Sequence, residues 1–172
     1  MLKLKIITQF VLFSFLASAN PPPKVVKAHN HEESTWSLAF EGKVGKLLIE
    51  SASESIIGLE REPKNKKEAK KVNDALKKFE EKISLMVQFP KNLSCAWSKK
   101  TLDVLRDEND KKHSEVAGEF EVSCQVEPSG AEIVFNIQKY FPKFKTANVE
   151  VLYGNIQKSF VADRAGVKVL LK

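Results

Sequence analysis

The side chains best suited to chemistry in this 172-residue chain are few: three His and two Cys. Imidazole nitrogen suits Zn²⁺, and carboxylates can complete a four-coordinate set. His29 and His31 flank a single residue, so an extended backbone points both to the same side, and Glu32 and Glu33 follow directly. His113 stands near Glu115 in a polar stretch that also holds Asp107, Glu108 and Asp110. If the segment around His29 crosses that stretch, three imidazoles and a carboxylate become available to one metal ion. The competing reading is three exposed polar residues with no shared task, because H-x-H alone is a weak motif.

Catalytic patterns are missing. There is no G-x-S-x-G elbow, no phosphate-cradling Gly-rich loop and no H-E-x-x-H helix. Acidic residues are abundant, but sequence alone does not pair them across a cleft. The expectation is a protein that is not an enzyme.

Cys95 and Cys124 are the only pair, without CxxC spacing. An oxidising compartment favours a bridge between them, with a thiolate metal site or a reactive thiol as alternatives. The first residues speak for such a compartment. Lys3 and Lys5 precede a mostly apolar run over residues 6–16, and Ala17-Ser18-Ala19 follows. This is the layout of a cleaved secretory signal, residues 1–19. The apolar run is roughly half a bilayer-spanning length, so no membrane span is expected in the mature chain. Removing the signal leaves 153 residues and, with Lys3 and Lys5 gone, lowers the formal charge from +6 to +4. Nucleic acid is then not an expected partner. With 42% hydrophobic residues the chain is neither disordered nor a polytopic membrane protein.

Residues 20–34 read as a Pro-rich extended tail carrying the H-x-H pair, and residues 35–172 as a single domain. Trp36, Leu38 and Phe40 alternate as a half-buried strand should, Gly42 and Gly45 bracket a turn, and Leu47-Leu48-Ile49 returns. Residues 53–59 form a short helical turn. The strongest helix covers residues 65–83, where Val72, Leu76, Phe79 and Ile83 make one apolar stripe. Its opposite face is rich in Lys, read as a solvated surface laced with ion pairs rather than an anion-binding or membrane-surface face.

A hairpin follows. If Cys95 and Cys124 face each other across antiparallel strands, facing residue numbers sum to 219, and the turn falls between Asn109 and Asp110 in the most polar stretch of the chain. Apolar parity on the ascending strand flips between Trp97 and Leu102, which calls for a bulge near Lys99-Lys100. Later strands are expected at residues 133–137 and 149–153, with weaker ones at 160–161 and 167–171. The fold class is α+β: a mostly antiparallel β-sheet of about eight short strands covered by one main amphipathic helix.

From Ala28 onward the order of features resembles the ZrgA-type zinc-uptake proteins of Gram-negative bacteria. The landmarks are His29-x-His31, Glu41-Gly42, Ser55-Ile56-Ile57-Gly58-Leu59-Glu60, Leu93-Ser94-Cys95, His113-Ser114-Glu115, the run from Glu119 to Cys124, and the stretch from Asn136 to Pro142. The resemblance implies a periplasmic, non-catalytic protein that binds Zn²⁺ and assists its uptake alongside an ABC importer or its periplasmic binding protein. Carried over by position, His29, His31 and His113 are the candidate ligands, with Glu115 as the fourth. This chain departs from the family's pattern at Ala117 and Arg61, where the family often has His, and in the short loop between the two Cys, which holds only His113. At most one zinc site is implied. A second expectation is an envelope interaction module that keeps the fold without useful metal affinity.

Overall fold

The computed structural model describes residues 33–107 and 110–172. Nine strands fall into two sheets. β1 (Glu33–Glu41), β2 (Val44–Ala52), β4 (Ala96–Asp107), β5 (Asp110–Ser123), β7 (Thr146–Tyr153) and β8 (Ile156–Ala162) form a six-stranded sheet in the order β4-β5-β2-β1-β7-β8. A smaller sheet, β3-β6-β9, joins β3 (Val87–Gln88), β6 (Glu132–Phe135) and β9 (Val167–Leu170). The expected α+β class holds. The additional small sheet arises because Val87–Gln88, at the end of the long helix, pairs with β6 rather than ending in a loop. All pairings are antiparallel except β1 with β7.

β1 and β2 are joined through Gly42, whose φ of 58° suits the tight turn. Gly45 lies inside β2, opposite Phe40, rather than closing the turn. A β-carbon there would sit 2.6 Å from the Phe40 ring, so the glycine makes room for an aromatic residue to lie across it.

The main helix, α2 (Lys66–Met86), begins one residue after Asn65, whose side chain accepts from the Glu68 amide. Its apolar stripe puts Val72, Phe79, Ile83 and Met86 into the core. Phe79 is fully buried and meets Trp36, Phe120 and Phe141, with ring centroids 6.0, 6.3 and 5.1 Å away. One helix thus ties the middle of the large sheet to the short helix α3 (Ile137–Tyr140) and the aromatic corner behind it. On the outer face Lys70 pairs with Asp74 at 2.6 Å and Lys77 with Glu81 at 4.0 Å, the ion-paired surface expected there.

The hairpin of β4 and β5 keeps the inferred register at its base. Ala96↔Ser123 through Lys99↔Phe120 sum to 219, and beyond a register shift at Lys99/Thr101 the pairs Thr101↔Glu119 through Arg106↔Ser114 sum to 220. Cys95 and Cys124 are bridged at that base. A second irregularity brings Asp107 opposite Asp110, so the turn is centred one residue earlier than expected. The alternating pattern of β5 puts Ser114, Val116, Gly118, Phe120 and Val122 in the interior. No helix among the described residues is long and apolar enough to cross a membrane.

Candidate metal centre

The strand period of two places His113 and Glu115 on the outer face of β5, with buried Ser114 between them. Near this end of β5 the chain leaves α1 (Ser53–Ile56), which packs on β2 and β5, and turns at Gly58, whose φ is 71°. The loop beyond brings Glu60 to β5. The Ser114 hydroxyl donates to the Glu60 carbonyl, and the His113 Nδ1 lies 3.1 Å from the Glu60 Oε2. Two successive β5 residues, one buried and one exposed, therefore hold the same glutamate by its backbone and its side chain.

The loop is fastened from its other side as well. The Lys71 ammonium donates to the Gly58 carbonyl at 3.0 Å. Arg61, next to Glu60, makes a two-pronged contact with Glu68 at 2.8 and 2.9 Å, and the Lys64 amide donates to the same carboxylate at 2.8 Å. The guanidinium hydrogen bond, helped by the Lys64 amide, lowers the Glu68 carboxyl from 4.5 to about 2. In turn, the hydrogen bond to Glu68 raises the Arg61 guanidinium above its ordinary value. With its neighbour anchored to the helix, Glu60 is left facing β5.

Glu60 was not among the ligands expected from sequence. It is 53 positions from His113, so no local spacing links them. The one feature of the sequence that could have drawn attention to it is its place at the end of the Ser55–Glu60 landmark. A carboxylate on Nδ1 fixes the imidazole tautomer and ring orientation, which leaves Nε2 as the nitrogen open to a metal ion. Imidazole nitrogen and carboxylate oxygen are donor types that suit zinc, and His113 and Glu115 offer one of each on this face.

Glu115 shares the outer face with His113, roughly 7 Å further along the strand. Among the described residues no group of three or more His, Cys, Asp or Glu is drawn together closely enough to hold a metal. The described centre is a His113–Glu60 pair with Glu115 beside it. Both Cys are used in the bridge, and no free thiol remains.

His29 and His31 lie outside the described residues, but the point at which their segment joins the fold is fixed. Ser34 of β1 is opposite Ser51 of β2, and Ser51 is opposite Val116 of β5. β1 and β5 both run antiparallel to β2, so Glu33 begins its strand level with Glu115, two strand spacings away, or roughly 10 Å. His31 is two residues before Glu33 and His29 four, and each residue of extended chain spans up to about 3.5 Å.

A protein-family model described as ZrgA family zinc uptake protein matches residues 28–170. The match begins just ahead of His29 and ends at the last residue of β9. No curated protein matches the chain.

Proposed function

The chain belongs to the ZrgA family of zinc uptake proteins, and on that premise we propose that it is a periplasmic accessory protein that binds zinc as cargo and assists its import without catalysing a reaction. Residues 1–19 serve as the cleaved export signal, and the partner is a zinc ABC importer or its periplasmic binding protein. The family and the Cys95–Cys124 bridge both suit an extracytoplasmic protein.

One observation carries the assignment of the site: His113 meets Glu60 on the strand whose Glu115 is level with the start of β1, immediately after the H-x-H segment. Glu60 orients His113, whose Nε2 ligates the zinc. His29 and His31 supply two further nitrogens and Glu115 an oxygen, completing four positions. Arg61 and Ala117 add no ligand, which keeps the number of sites to one.

The metal content of purified protein, with and without added zinc, tests this directly. One zinc per chain is expected, and the His29→Ala, His31→Ala double variant should lose it. Absence of bound zinc in the unaltered protein sinks the proposal.

A further inference from the structure

The large sheet has two unlike faces. One is buried against α2, α3 and the smaller sheet, while among the described residues nothing covers the other. On that open face four exposed apolar side chains, Val44, Leu48, Leu105 and Val161, keep from 45 to 52% of their surface accessible. Leu48 and Leu105 stand among carboxylates in an ordered way, whereas Val161 lies at the far edge on β8. Ala117 of β5 faces Asp103 on one side and Glu50 on the other, with Glu115 and Glu119 before and after it on its own strand. Leu105 and Leu48 occupy two of the diagonals, opposite Glu115 and Glu119 respectively. Lys46 answers Glu119 at 2.9 Å and Lys100 answers Glu121 at 3.2 Å, and among the described residues of this face carboxylates outnumber ammonium groups.

Such an arrangement gains the isolated chain little. Like charges at neighbouring positions of a sheet oppose folding, and exposed leucines gain nothing from water. Both are favourable against a surface with cations around an apolar centre, because charge then sets register and encounter rate while the leucines are desolvated. The chain's own basic surface, the outer side of α2, provides the cations. It provides no apolar counterpart, for every fully exposed residue of α2 is polar or charged. A second copy is therefore the poorer occupant.

We infer that the open face formed by β4, β5 and β2 docks a partner protein whose surface sets Lys or Arg side chains around exposed apolar residues. The inference does not rest on zinc binding: Glu115 alone is shared with the proposed metal site, and Glu50, Asp103 and Glu119 belong to the sheet face only.

The probe is a synthetic peptide of alternating lysine and leucine, titrated into the isotope-labelled protein while backbone amide shifts are followed. An all-lysine peptide and a glutamate–leucine peptide serve as controls. The lysine–leucine peptide should move Leu48, Ala117 and Glu119, and its affinity should fall at least tenfold in Glu50→Lys with Asp103→Lys and also fall in Leu48→Ser. The glutamate–leucine peptide should leave these amides unmoved. Shifts centred elsewhere, or equal affinity for the all-lysine peptide, would overturn the inference. So would salt-sensitive self-association in sedimentation that the charge reversals abolish, since that outcome assigns the face to a second copy. Zinc titration of the same double variant keeps a failure here separate from a failure of the metal site.

Discussion

On β2, Leu47 and Ile49 are almost wholly buried, while Leu48 and Glu50, one step away on the same strand, stand exposed on the opposite side. The covered side of the sheet is filled by aromatic and branched side chains that meet Phe79 and its neighbours. The open side holds carboxylates, small residues and a few leucines. A strand's alternation requires only that one set of residues be buried. It leaves the other set unconstrained by packing, so what is found there is available to function. The His113–Glu60 pair lies at the end of the open side, where loop, strand and the start of β1 converge.

The sharpest way to probe this contrast is to damage the covered side. Phe79→Ala removes the ring that joins Trp36, Phe120 and Phe141, and should cost roughly 3–5 kcal/mol in urea unfolding. A loss below 1 kcal/mol would mean that α2 does not hold the sheet as described. Next comes Gly45→Ala, whose added carbon would meet the Phe40 ring at 2.6 Å. Overpacking of this kind costs about 1–3 kcal/mol, to be read from the same unfolding curves, and a neutral result would place the Phe40 ring elsewhere.

The open side should respond with the opposite sign. Glu50→Gln or Asp103→Asn relieves repulsion across Ala117 and should raise stability by about 0.2–1 kcal/mol each. Thermal melts showing a clear loss for either variant would contradict mutual repulsion among these carboxylates. The smallest effect concerns the loop behind the metal centre. Glu68 has its carboxyl lowered to about 2, so its contribution is present in full above 4.5 and is lost as pH falls from there toward 2. Carbon-detected titration should find its midpoint near the lower value, and Arg61→Gln should move it upward. An unmoved midpoint would remove the clamp from the site.

Much of the covered side was legible in the sequence. Trp36, Leu38 and Phe40 announce a strand by alternation, and Val72, Phe79 and Ile83 announce the helix by their spacing. The Cys pair gave the hairpin its register, and the parity flip between Trp97 and Leu102 gave the bulge its place. Local pattern was sufficient because each signal spans a few residues, or is tied by a covalent bond. Gly45 misled because a glycine close to a turn looks like part of it, whereas its role depends on the ring of Phe40 across the strand pair. The smaller sheet was hidden because β3 is only two residues long and continues the apolar end of α2.

The site was legible in part. His113 and Glu115 announced themselves by type and by their two-residue spacing. Glu60 did not, since only the return of the loop to Ser114 brings it to His113. The four acids around Ala117 were likewise invisible as a group. Asp103, Ala117 and Glu50 become neighbours only through the pairing of three strands. The place where the H-x-H segment joins the sheet also depends on β1 taking its seat between β2 and β7, a parallel pairing reaching across more than a hundred residues.

The most direct test is the zinc affinity of the purified protein, measured by competition with a chromophoric chelator, for the unaltered chain and for His113→Ala. A single site is expected, weakened at least tenfold by the substitution, because His113 is the one of the three proposed nitrogen donors that lies among the described residues, held by Glu60. Equal affinity in the two proteins would contradict a site built on the His113 end of β5.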